Sequence, residues 1–199
     1  MKKIKISRFA EEIFLQTDFN VLLRLSDKDK YLRELIQETG YIRSTVNTIL
    51  ERLLDSNQIT RYKNEADMYL YSGITKLDVN DEQYAILDYL LKEHKGIMTP
   101  NACRIICVLL DEDKYVIQDL IERGWKPAAL YKNTNKLKEN KIIVSEDNYF
   151  SLSPVIKKKA IECYKKIKDN NISICTYNFD DYNREEEKER IKSFKKLVN

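Results

Sequence analysis

Asp27-Lys-Asp-Lys-Tyr-Leu-Arg-Glu-Leu-Ile-Gln-Glu-Thr-Gly-Tyr41 aligns without gaps on Asp111-Glu-Asp-Lys-Tyr-Val-Ile-Gln-Asp-Leu-Ile-Glu-Arg-Gly-Trp125, 84 residues further along the chain. Asp27, Asp29, Lys30, Tyr31, Glu38 and Gly40 recur as Asp111, Asp113, Lys114, Tyr115, Glu122 and Gly124, and Tyr41 is matched by Trp125. The apolar positions outside this stretch keep the same offset. Val21, Leu22 and Leu25 fall on Ile105, Ile106 and Leu109, and Val46, Leu53 and Ile59 fall on Leu130, Leu137 and Ile143. A repeat of this length means one supersecondary unit used twice.

Each copy carries the same order of element signals. In the first, Thr17 or Asp18 is expected to cap a short helix ending near Leu25. A second helix is predicted over about Asp29–Glu38, with Gly40 as its left-handed stop. Ile42, Val46, Ile49, Leu50 and Leu53 share one face at helical spacing and predict a third helix over Ile42–Ser56. Gln58–Lys63 and Met68–Ser72 read as strands around the polar tip 64–67. In the second copy Thr99 caps, Pro100 takes the first helical position, and Pro127 opens a third helix running to about Asn140. Strands are predicted at Lys141–Ser145 and Tyr149–Ser153. The carboxylates Asp27/Asp29 and Asp111/Asp113 are read as caps at helix starts.

Three short helices followed by a β-hairpin, with Gly40 standing before Tyr41-Ile-Arg-Ser-Thr-Val, resemble the winged-helix family of helix-turn-helix proteins. The resemblance covers residues 15–72 and 99–153. It implies a mainly α fold with small β-hairpins: two winged-helix modules in tandem plus a C-terminal helical tail. The expected division is 1–75 for the first module with an N-terminal arm, 76–98 for a connecting helix, 99–170 for the second module with a basic helix after it, and 171–199 for a strand and charged helix. Asn80 is predicted to cap the connecting helix, and Ser153-Pro154 to start the helix that follows the second hairpin.

In helix-turn-helix proteins the second helix of the pair enters the major groove, and its N-terminal residues reach base edges. Removing the apolar stripe from Ile42–Ser56 leaves Arg43, Ser44, Thr45, Asn47 and Thr48 facing outward. Arginine matches guanine, asparagine matches adenine, and the hydroxyls match either a base or a phosphate. In the second copy Lys126, Tyr131, Lys132, Asn135 and Lys136 are the corresponding candidates. Asn133 aligns with the core position Ile49 and is the weaker reader. Lys126, Lys132, Lys136, Lys138 and Lys141 stand against Glu139 alone, a local excess of five positive charges to one negative that gives the best electrostatic footprint on a candidate helix. Arg61 and Lys63 flank the first hairpin tip, where phosphate or an A·T-rich minor groove is within reach. Glu146 and Asp147 at the second tip repel phosphate, so that tip is expected to point away or to be held off the DNA. The competing reading of these faces is ordinary solvation of a charged surface.

Composition excludes other classes. With only 4 Gly, no glycine-rich phosphate loop is present, and the single histidine, His94, leaves little for acid–base or zinc chemistry. Cys103 and Cys107 lie one turn apart but among Ile105, Ile106, Val108 and Leu109, where a free thiol packs as a small apolar group. No enzyme activity, cofactor or metal is expected. Four cysteines without a CxxC pair, and an N-terminus without a signal-peptide core, predict reduced thiols in a cytoplasm, at the nucleoid. No apolar run is long enough to span a bilayer.

The expected activity is site-specific binding of double-stranded DNA, in transcriptional regulation or in replication or partition. The alternative is a winged-helix scaffold for protein–protein contacts in a chromosome-organising or polymerase-associated complex. Asn171–Phe179 and the charged stretch Tyr182–Leu197, with Ile191, Phe194, Leu197 and Val198 on one side, predict a homodimerising tail.

Overall fold

The computed structural model describes residues 3–11, 15–26, 28–74 and 76–169. The chain begins with β1 (Lys3–Lys5) and α1 (Ile6–Glu11). The first copy follows as α2 (Gln16–Arg24), β2 (Lys30–Tyr31), α3 (Leu32–Thr39), α4 (Arg43–Asp55), β3 (Ile59–Lys63) and β4 (Tyr69–Gly73). After β5 (Lys76–Asp78) and α5 (Asp81–Glu93), the second copy runs α6 (Pro100–Glu112), β6 (Lys114–Tyr115), α7 (Ile117–Glu122), α8 (Pro127–Glu139), β7 (Ile143–Glu146) and β8 (Tyr149–Leu152). Helix α9 (Pro154–Asp169) closes the described chain. The fold is mainly helical, with two small antiparallel three-stranded sheets.

The internal repeat persists at the level of single hydrogen bonds. Strand β2 recurs as β6 and helix α4 as α8, both displaced by 84 residues. After α4, Asn57 turns left-handed at φ 54° and the Gln58 N–H donates to the Leu53 carbonyl at 2.8 Å. After α8, Lys141 turns at φ 57° and the Ile142 N–H donates to the Leu137 carbonyl at 3.0 Å. These paired bonds satisfy carbonyls that a helix end leaves open and aim each chain into its hairpin. Gly40 and Gly124 hold φ of 67° and 89° and stop α3 and α7 as the sequence predicts.

Each sheet contains one strand more than the predicted hairpin. β2 pairs with β4 (Lys30 opposite Tyr71, Tyr31 opposite Leu70), and β6 pairs with β8 (Lys114 opposite Ser151, Tyr115 opposite Phe150). The strand orders are β2-β4-β3 and β6-β8-β7. Two residues carry no readable alternation, which is why the sequence pattern places Asp29–Leu32 in a helix instead. A separate parallel pair, β1 with β5, joins the N-terminus to the segment before α5.

Several capping expectations are corrected. Leu15, not Thr17 or Asp18, precedes α2, and no side chain caps it. Asp18 is buried and accepts two bonds from Arg52 of α4, one from Nε at 2.9 Å. Asp111 lies in the last turn of α6, where it accepts from the Ser7 N–H at 2.9 Å, and Asp113 follows that helix at φ 62°. Asp29 accepts from the Tyr62 hydroxyl at 2.6 Å, while Asp27 lies outside the described residues. Glu34 does the work assigned to them in the first copy, accepting from the Tyr31 N–H at 2.8 Å at the start of α3. Asn80 and Thr99 cap as predicted, accepting from the Gln83 and Ala102 N–H groups at 2.9 and 3.2 Å.

One apolar cluster joins both copies. It includes Phe19, Leu35, Leu50 and Ile59 from the first, Ile86, Leu87 and Leu90 from α5, and Ile106, Leu120, Leu137 and Ile143 from the second. Helix α9 packs along α5, burying Ile156 and Ala160. Helix α1, which the sequence division assigns to the first module's arm, packs instead on α6, where Arg104 Nε donates to the Ala10 carbonyl at 3.0 Å. The predicted strand Asn171–Phe179, the charged helix and the dimerising role given to them lie outside the described residues.

Candidate nucleic-acid interface

Helix α4 turns Val46, Ile49, Leu50 and Leu53 into the core. Outside that stripe Arg43, Ser44 and Thr48 are exposed, with Thr45 and Asn47 half-buried beside them and the carboxylates Glu51 and Asp55 exposed further along the helix. The Thr48 hydroxyl donates to the Ser44 carbonyl at 3.1 Å, leaving its lone pairs free to accept. Among the described residues Arg43 forms no ion pair. Arg52, one turn before the helix end, is committed to Asp18 and anchors α4 on α2.

The first hairpin gathers cations around an aromatic ring. The Arg61 guanidinium lies 4.5 Å from the Tyr69 ring centroid and Lys63 Nζ lies 5.4 Å from it, with all three side chains exposed. Lys63 also pairs with Asp67 at 2.5 Å, and this hydrogen bond holds its pKa above the ordinary lysine value. Asn64 shapes the tip: its Oδ1 accepts from the Ala66 and Met68 N–H groups, and its Nδ2 donates to the Tyr31 hydroxyl at 2.8 Å. Arg61 is the cation of this hairpin without a carboxylate partner among the described residues.

In the second copy Lys126, Tyr131, Lys132 and Asn135 are exposed on α8. Tyr131 presents half of its surface to solvent. Lys136 is turned inward enough to donate to the Gly96 carbonyl at 2.8 Å. Asn133 is buried: its Oδ1 accepts from the Thr99 hydroxyl at 2.6 Å and its Nδ2 donates to the Ala129 carbonyl at 2.7 Å. Beside it the Thr134 and Tyr115 hydroxyls bond at 2.9 Å, and burial pushes the Tyr115 phenol up to about 12. Sequence alignment signals Asn133 through its match to Ile49, whereas nothing in the pattern signals Thr134 against β6.

Glu146 and Asp147 share an open cleft of about 520 Å³ with Tyr131, Lys138, Gln118 and Phe150. Asp147 and Asn148, both at positive φ, form the tight turn at the tip of this hairpin.

Cys103 and Cys107 are buried in α6, where desolvation pushes the Cys103 thiol up to about 12 and the Cys107 thiol well above its ordinary value. Among the described residues no group of three or more His, Cys, Asp or Glu side chains is placed to hold a metal, and no helix is long and apolar enough to cross a membrane. No protein-family model and no curated protein matches the sequence.

Proposed function

We propose that this chain is a tandem winged-helix protein that binds double-stranded DNA site-specifically, in transcriptional regulation or in replication or partition. The observation that carries the reading is the helix–strand–helix–helix–strand–strand order, used twice with the same sheet pairing, whose third helix is buried on one face and offers small hydrogen-bonding groups on the other. A helix that enters the major groove needs that division of faces. Arg43, Ser44, Asn47 and Thr48 supply base-edge chemistry, with Thr45 beside them, and Arg61 and Lys63 extend the surface toward a flanking backbone. Lys126, Tyr131, Lys132, Asn135 and Lys136 form the second contact region.

The carboxylates Glu146 and Asp147, which line one cleft with Tyr131 and Lys138 of α8, favour the other reading, a scaffold in which the second copy meets a protein. Selection of duplexes from a random library by the full chain, followed by titration from about 50 to 200 mM salt, decides between them. The DNA reading expects enriched sequences whose affinity falls steeply with salt. Absence of enrichment together with salt-insensitive binding to duplexes overturns it.

A further inference from the structure

Ile42 and Lys126 hold the same place in the two copies, immediately before α4 and α8. Ile42 is 70% exposed, more than any other large apolar side chain among the described residues, and Lys126 is exposed as well. The surroundings of Ile42 are polar: Arg43, Ser44 and Thr48 are its exposed companions on α4, while the helix's other apolar residues are in or against the core. A dry protein interface is built on a cluster of apolar groups, and α4 offers none beside Ile42. A lone branched apolar group among hydrogen-bonding side chains instead matches a base edge in the major groove, where the thymine 5-methyl stands next to acceptors and donors.

We propose, resting on the DNA-binding reading above, that Ile42 packs on a thymine 5-methyl while its counterpart Lys126 contacts a phosphate. The first copy then selects sequence and the second supplies electrostatic grip. The target is one asymmetric site and not two like half-sites.

The test uses the full chain and a duplex it selects from random sequence. Each thymine in turn is replaced by deoxyuridine, which removes only the methyl group. At one position the unsubstituted protein loses about fourfold in affinity, as expected for one buried methyl, and Ile42→Ala loses nothing further there. Lys126→Ala weakens all duplexes alike and lowers the salt slope by about one. Deoxyuridine tolerated at every position, Ile42→Ala remaining as sensitive as the parent, or Lys126→Ala altering sequence choice each overturns the inference and leaves DNA binding standing. A selection that yields no bound duplex removes the DNA reading and this inference together.

Discussion

Arg24 of α2 and Asp88 of α5 form a buried ion pair, Nη2 to Oδ1 at 2.5 Å, with side chains only 2% and 11% exposed. The guanidinium also donates to the Asn20 amide oxygen at 3.2 Å and the Tyr84 hydroxyl at 2.8 Å, and Lys92 donates to Asp88 at 3.1 Å. Asn20 Nδ2 in turn donates to the Tyr41 hydroxyl at 3.1 Å, in the turn that leads into α4. A polar chain thus runs from the connecting helix to the start of the candidate reader. The equivalent of Arg24 in the second copy is the buried Val108, so the pair serves the junction with α5 and not the repeat itself.

Removing Asp88 leaves the Arg24 guanidinium buried without its carboxylate partner. Asp88→Ala is expected to destabilise the protein by about 3–5 kcal/mol in urea unfolding. Arg24→Met together with Asp88→Leu should cost at least about 1 kcal/mol less than the two single changes added. Strict additivity would show that the two groups are not coupled.

The buried phenols set an alkaline limit to stability. Burial pushes Tyr84 and Tyr115 up to about 12 from an ordinary value of 10.0. The folded state therefore holds these protons longer than the unfolded chain, so their contribution is complete below pH 10 and is lost as pH rises toward 12. Tyr115→Phe should cost about 1 kcal/mol at neutral pH through the lost bond to Thr134, and its unfolding midpoint should fall less steeply over the alkaline range. Parallel pH profiles for the two proteins would contradict this account.

Thiol labelling reads the core directly. Cys163 is exposed on α9, whereas Cys103 and Cys107 are buried and held protonated by desolvation. Iodoacetamide on the folded protein should modify Cys163 and spare both α6 cysteines, as seen by peptide mass mapping, because the thiolate is the reacting species. Modification of Cys103 at a rate close to that of Cys163 would mean that α6 is not core.

Much of the fold was legible because it rests on local chemistry. Gly40, Gly124, Pro100, Pro127, Asn80 and Thr99 each act within a few residues of themselves, and the helices they bound lie where the sequence puts them. The extra strands β2 and β6 were illegible because each is two residues long and is stabilised by β4 or β8, distant in sequence. Asp18 reads as a cap by position, yet Arg52, 34 residues away, claims its carboxylate. Arg24 carries no sequence signal of burial, and the approach of α5 turns it into a core residue. At the candidate site the alignment of Asn133 with Ile49 signalled its burial, since the core demands the same in both copies.

Gly40 tests the turn that leads into α4. Its φ of 67° is a conformation that a Cβ disfavours, and no neighbouring atom would meet that Cβ within 4 Å. Gly40→Ala should therefore cost about 1–2 kcal/mol from the backbone alone, and Gly40→Asn less. Equal costs for the two replacements would point to packing and not to backbone conformation.

The roles within α4 are separable by comparing sequences as well as affinities. Arg43 and Asn47, if they form paired hydrogen bonds with base edges, each carry about 1–3 kcal/mol of discrimination. Arg43→Ala and Asn47→Ala should narrow the gap between the selected duplex and random DNA, each at its own base position. Lys132→Ala should lower both affinities by a similar factor and flatten the salt dependence, because a phosphate contact carries no sequence information. Both Arg43 and Lys132 are exposed, so their truncation removes little packing, and unchanged urea midpoints will separate a binding effect from unfolding. Asn47 is half-buried, and its midpoint is the control that matters most. Should all three variants lose affinity without changing base preference, α4 grips the backbone and the sequence is read elsewhere.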